Sequence, residues 1–182
     1  MNEVDIASSI WTTIVLEFSD IPDAAEATRI AVRLAMAILL GAAIGYERER
    51  RGKAAGLRTH MLVSLGAAIF VLIPLQSGME IDDLSRVLQG IIAGIGFLGA
   101  GAIIKLSDDR EIKGLTTAAT IWVAAAIGIA AGVGREATAV VSTLAVLFIL
   151  VIIGRMEASI DTVQDDDGKR GAPARRGNRS KP

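Results

Sequence analysis

Five stretches of this chain, residues 30–46, 61–75, 87–104, 115–133 and 137–153, contain one charged side chain between them, Arg33. A helix crosses the hydrocarbon layer in roughly 17–25 residues, so most of these runs are long enough to span it. The second is short, and extension past Pro74 or back toward Thr59 completes it. Arg33 falls near the start of its run, where a long side chain reaches back to the headgroups. A buried helix of a soluble bundle would carry a polar stripe at helical period, whereas these runs are apolar on every side. The whole chain is 52% hydrophobic, with a mean hydropathy of +0.50, too apolar for an ordinary soluble domain. The expected fold is all-α, a polytopic membrane helical bundle of about five transmembrane helices.

Lys and Arg set the orientation. Arg48, Arg50, Arg51, Lys53 and Arg58 follow the first run, and Lys105, Arg110 and Lys113 follow the third. Arg155, Lys169, Arg170, Arg175, Arg176, Arg179 and Lys181 follow the fifth. The intervening segments and the N-terminal side hold only Arg29, Arg86 and Arg135. The bias alternates at every crossing, which predicts an N-terminus outside and a C-terminus in the cytoplasm. Three regions follow. Residues 1–28 form an acidic extracytoplasmic segment in which 6–18, with Trp11 and Phe18, reads as an interfacial helix. It lacks the basic start of a secretory signal. Residues 29–154 form the five-span domain, and 155–182 a disordered, basic cytoplasmic tail.

Other function classes fall away. The chain has no Cys and one His, His60, which removes thiol chemistry and leaves little for an imidazole metal cluster. A net charge of −1 gives no reason to expect a nucleic-acid partner. Gly94-Ile-Gly-Phe-Leu-Gly99 matches G-x-G-x-x-G but lies inside a span, without the strand and turn that a dinucleotide site requires. No recognisable catalytic set is present, so neither an enzyme nor a cofactor is expected.

Helices in lipid associate through small residues. Thr116, Thr120, Ala124, Gly128 and Gly132 recur every four residues in the fourth run. Gly41 and Gly45 continue from Ala37 in the first run, and the third carries Gly90 and Gly94 on one face and Gly96 and Ala100 on another. This pattern predicts a tight core of the first, third and fourth spans.

The candidate functional residues lie at the basic end of the bundle. Glu47 can pair with Arg50 or Arg51 along one helix face. Thr59 can cap the second helix, and Arg58 and His60 stand at its entrance, suited to phosphate or carboxylate groups. His60 titrates near neutrality when unperturbed. Asp108, Asp109 and Glu111 could hold magnesium, but Lys105, Arg110 and Lys113 among them weaken that reading.

Several strings together resemble a known family. Glu47-Arg-Glu-Arg-Arg51, Ala55-Gly-Leu-Arg-Thr-His60, Gly94-Ile-Gly-Phe-Leu-Gly-Ala-Gly101 with Lys105, and Gly114-Leu-Thr-Thr-Ala-Ala119 with the segment from Trp122 to Gly128 are similar to the MgtC/SapB family of bacterial inner-membrane proteins. The resemblance runs from about Arg33 to Gly154. It implies a bacterial cytoplasmic membrane, about five spans, and a link to growth under magnesium limitation. It implies a regulator of other membrane proteins, rather than an enzyme, with a magnesium or other cation transporter or channel as the alternative. The lipid bilayer and other membrane proteins or a second copy are the expected partners. Whether magnesium binds is left open. Position and family strings together select Glu47, Arg50, Arg58, Thr59, His60, Lys105, Thr116 and Thr117. Longer members add a soluble domain after the last span, and its functions do not transfer to a chain whose last residues read as a tail.

Overall fold

A computed structural model describes residues 3–19, 23–103 and 113–155. Six helices follow in order: α1 (Glu3–Glu17), α2 (Ala24–Arg50), α3 (Leu57–Gln76), α4 (Leu84–Ile103), α5 (Leu115–Val133) and α6 (Glu136–Phe148). A 3-10 turn over Ile81–Asp83 leads into α4, and a π-helical turn over Ile149–Ile153 follows α6. Among the described residues there is no strand. Five segments are long and apolar enough to cross a membrane: α2, α3, α4 with its 3-10 turn, α5, and α6 with its π turn. The second span is completed at both ends, from Leu57 to Gln76. α1 forms over the stretch expected to be an interfacial helix, and Trp11 is exposed. The chain divides into two compact units, residues 1–143 and 144–182. The first contains α1 to α5 and the start of α6; the described part of the second holds the end of α6, the π turn, Gly154 and Arg155.

Local chemistry sets the helix ends. Asp23 caps α2 by accepting the Glu26 amide at 2.7 Å. Glycine ends three helices in the same way. Gly52, Gly78 and Gly134 have φ of 64°, 86° and 85°. The residue after each donates back across the turn: Lys53 to the Arg48 carbonyl at 3.0 Å, Met79 to Pro74 at 3.0 Å and Arg135 to Ala130 at 2.8 Å. Such backbone is strained for any residue with a Cβ, which is why glycine stands there.

In the first unit α2, α3 and α5 pack against one another, and α3 takes a glycine pair from each of the other two. A Cβ on Gly41 would lie 2.6 Å from the His60 carbonyl oxygen and 2.9 Å from the Ser64 Cβ. On Gly45 it would lie 2.7 Å from the Leu57 Cα. From the other side, a Cβ on Gly128 would strike the Ser64 carbonyl, and one on Gly132 the backbone of Ala68. Two glycine pairs thus grip one helix, and the backbones approach as closely as small residues permit.

This corrects the expected core of the first, third and fourth spans: the second span joins the first and fourth instead of the third. α4 packs on α5 and more lightly on α3, through Leu84 and Ile91 against Ala67, Val71 and Ala125. A Cβ on Gly90, Gly94 or Gly96 would meet nothing within 4 Å, so among the described residues these glycines pack against no other helix.

Arg33 also differs from expectation. Its guanidinium donates to the Gly132 carbonyl at 3.3 Å and lies 4.0 Å from Glu136. A cation at the C-terminal end of α5 faces the negative pole of that helix. Arg33 therefore turns inward to a helix end rather than out to the headgroups.

Candidate functional site

The basic ends of α2, α3 and α5 enclose a group of polar side chains. Glu47 is 9% exposed, Arg48 3%, His60 and Ser64 0%, Thr117 3% and Thr120 4%. Helical period puts Arg48 on the buried side of α2: Ala37, Gly41, Ile44, Gly45 and Arg48 share one face, and all are buried. Gly41 brings α2 against His60 and Ser64, and Gly128 brings α5 against Ser64 from the opposite side. Ser64 sits where the three helices meet.

Glu47 Oε1 lies 2.5 Å from Arg51 Nε, one helical turn on, and Oε2 lies 4.0 Å from Arg48 Nη1. These are ion pairs by distance. Neither carboxylate oxygen accepts a well-aligned hydrogen bond. Arg48 Nη2 makes a long contact, 3.5 Å, to Thr117 Oγ1, which ties α2 to α5. Thr120 donates to the Thr117 carbonyl at 2.9 Å. His60 Nδ1 lies 2.8 Å from the Gly56 carbonyl oxygen, an acceptor only, so Nδ1 carries the proton. Arg48 Nε, His60 Nε2 and Ser64 Oγ are buried without a hydrogen-bond partner among the described residues. Buried polar atoms of this kind are commonly satisfied by internal water.

The expected residues separate. Glu47, His60 and Thr117 come together in this node. Arg50, Arg58 and Thr116 are exposed and Thr59 is half-buried. Lys105 lies outside the described residues, as do Asp108, Asp109 and Glu111. The Glu47–Arg51 pair forms, whereas Arg50 takes no part in it. His60 is buried between helices, because α3 begins at Leu57 and brings position 60 within its first turn onto the face against α2. Thr59 does not cap α3; the cap position is Gly56, and Glu49 Oε2 accepts the Leu57 amide at 2.8 Å. Sequence reasoning passed over Arg48 and Ser64. The signal for Arg48 is its four-residue step from Ile44 and seven-residue step from Gly41.

One carboxylate between two guanidiniums is poorly suited to a divalent cation, since Arg48 and Arg51 already balance Glu47. Among the described residues no group of three or more His, Asp or Glu stands where it could hold a metal ion. The node is suited to holding three helices in one register and to binding water through its free donors and acceptors.

Five segments able to cross a membrane, with a charged node where α2, α3 and α5 meet, define a multi-pass helical membrane protein. The sequence model of the MgtC family matches residues 34–159, and the chain belongs to that family. It is 42% identical to Protein SrpB of Synechococcus elongatus over 139 residues, covering 70% of this chain and 76% of the relative. It is 43% identical to Protein MgtC of Salmonella typhimurium over 116 residues, 64% of this chain and 48% of the relative. Protein MgtC of Brucella abortus is 42% identical over 144 residues, 78% of this chain and 57% of the relative. The chain thus spans about half the length of the MgtC relatives. No solved structure matches it.

Proposed function

We propose that this chain is a non-enzymatic protein of the bacterial cytoplasmic membrane that modulates other membrane proteins in magnesium or membrane-energy homeostasis. Family membership supports the magnesium link. The modulatory part rests on one face of α4. Ala93, Gly96 and Ala100 recur at helical period on one side of that helix, and all three are exposed. A smooth face of small residues is what another transmembrane helix packs against most closely.

A second reading, passage of magnesium or another cation, draws on the buried node, because ionisable groups within a membrane often mark an ion path. Beyond Ser64 and Thr120, however, the buried positions are Ala67, Ala68, Val71, Ala124 and Ile127. Polar lining gives way to packed aliphatic side chains, which favours modulation over passage.

The chain has no native cysteine, so Ala93→Cys supplies a single cross-linking position. In native membranes this variant is expected to give an adduct with another membrane protein, lost when Gly96→Leu is added. Absence of an adduct, together with saturable magnesium flux in proteoliposomes of the folded protein, would establish the transporter reading instead.

A further inference from the structure

On the other side of α4, α3 and α4 flank an apolar groove of about 630 Å3. Ala67 and Ile91, both buried, form its floor, and the exposed Leu62, Phe70 and Leu98 rise beside it. Gly66, Gly90 and Gly94 leave it smooth, since a Cβ at any of them would meet nothing within 4 Å. From Leu62 to Phe70 the α3 wall runs about 12 Å, and from Arg58 to Phe70 about 18 Å, at 1.5 Å per residue. The longer distance is close to the roughly 15 Å of hydrocarbon in one leaflet.

Charge marks one end of the groove. Arg58 stands one helical turn before Leu62 on the same side of α3, and Thr59 one turn before Val63. Arg58 is exposed, at the positive pole of α3, and has no carboxylate partner among the described residues. A hydrocarbon chain is narrow enough to lie along the groove over Gly66, Gly90 and Gly94. An apolar channel of one leaflet's depth that ends in an exposed guanidinium, with no carboxylate partner among the described residues, is complementary to a lipid with a negative headgroup.

We propose that the groove and Arg58 form a binding site for an anionic phospholipid. One acyl chain lies over Gly66, Gly90 and Gly94, and the phosphate meets the Arg58 guanidinium beside the Thr59 hydroxyl. The site lies away from Gly96 and stands whether or not the modulator reading does.

Native mass spectrometry of the purified, delipidated full chain tests it, with phosphatidylglycerol and phosphatidylcholine of matched acyl chains as probes. Phosphatidylglycerol is expected to bind roughly five- to tenfold more tightly than phosphatidylcholine, the contribution of one arginine at a membrane surface. Arg58→Gln is expected to remove that preference. Gly94→Leu is expected to weaken both lipids, and Arg86→Gln, toward the other end of α4, to change neither. Equal affinity for the two lipids would overturn the proposal, as would a preference that survives Arg58→Gln. A dimeric species that disappears in Gly94→Leu would also overturn it, by giving the groove to a second copy of the chain.

Discussion

Arg48 and Glu47 are neighbours in sequence and both are buried, so each exposes the other to a cost if it is lost. Removing one partner of a buried pair leaves the remaining charge without compensation in a medium of low dielectric constant. Glu47→Ala is expected to lower stability by about 3 kcal/mol, read as a fall in the melting temperature of the purified protein by circular dichroism. Glu47→Gln, which keeps the shape and one acceptor, is expected to lose less. An unchanged melting temperature in Glu47→Ala would mean that water screens the node. The Glu47–Arg51 pair was legible in sequence from its four-residue spacing. The burial of His60 was not, because it depends on where α3 begins and on the helix that Gly41 brings against it. Arg33 is a similar case: its position near a helix start was visible, but its partner Gly132 lies 99 residues away in the chain.

At the scale of helices, glycine has two roles that share one composition. Gly41, Gly45, Gly128 and Gly132 touch a neighbouring helix, while Gly90, Gly94 and Gly96 line open surface. The two sets predict opposite outcomes. Gly128→Ala is expected to destabilise the bundle by about 1–3 kcal/mol, since its Cβ would strike the Ser64 carbonyl and α3 cannot withdraw without leaving Gly41. Gly94→Leu is expected to leave the melting temperature unchanged. Size-exclusion profiles and thermal melts of both variants in detergent make the comparison, and equal destabilisation would place α4 more deeply in the bundle. Sequence periodicity found both sets of stripes but could not rank them. α3 offers no glycine pair of its own to the contacts; it supplies the backbone of Ser64 and Ala68, and its partners supply the glycines.

For the whole molecule, the positive-inside bias predicts that the node, Arg58 and the C-terminus face the cytoplasm. A fluorescent protein fused after Pro182 is therefore expected to be fluorescent in cells, and alkaline phosphatase fused at the same place to be inactive. The reverse pattern would invert every assignment of side while leaving the helix packing intact. The five spans were legible because crossing hydrocarbon imposes a length and polarity that each segment meets by itself.

The sequence by itself determined what each segment must do alone: five apolar runs long enough to span, and a charge bias that predicts their orientation. These are relations between a segment and its solvent, or between residues a turn or two apart. Tertiary structure decided which three helices form the core, that His60 and Arg48 share a buried node with Ser64, and that Gly90 and Gly94 face a groove rather than a helix. Inside a membrane all apolar faces are alike to the lipid, so hydrophobicity does not choose among packings. The choice comes from the close fit of backbone against backbone, and that fit exists only once the helices have met.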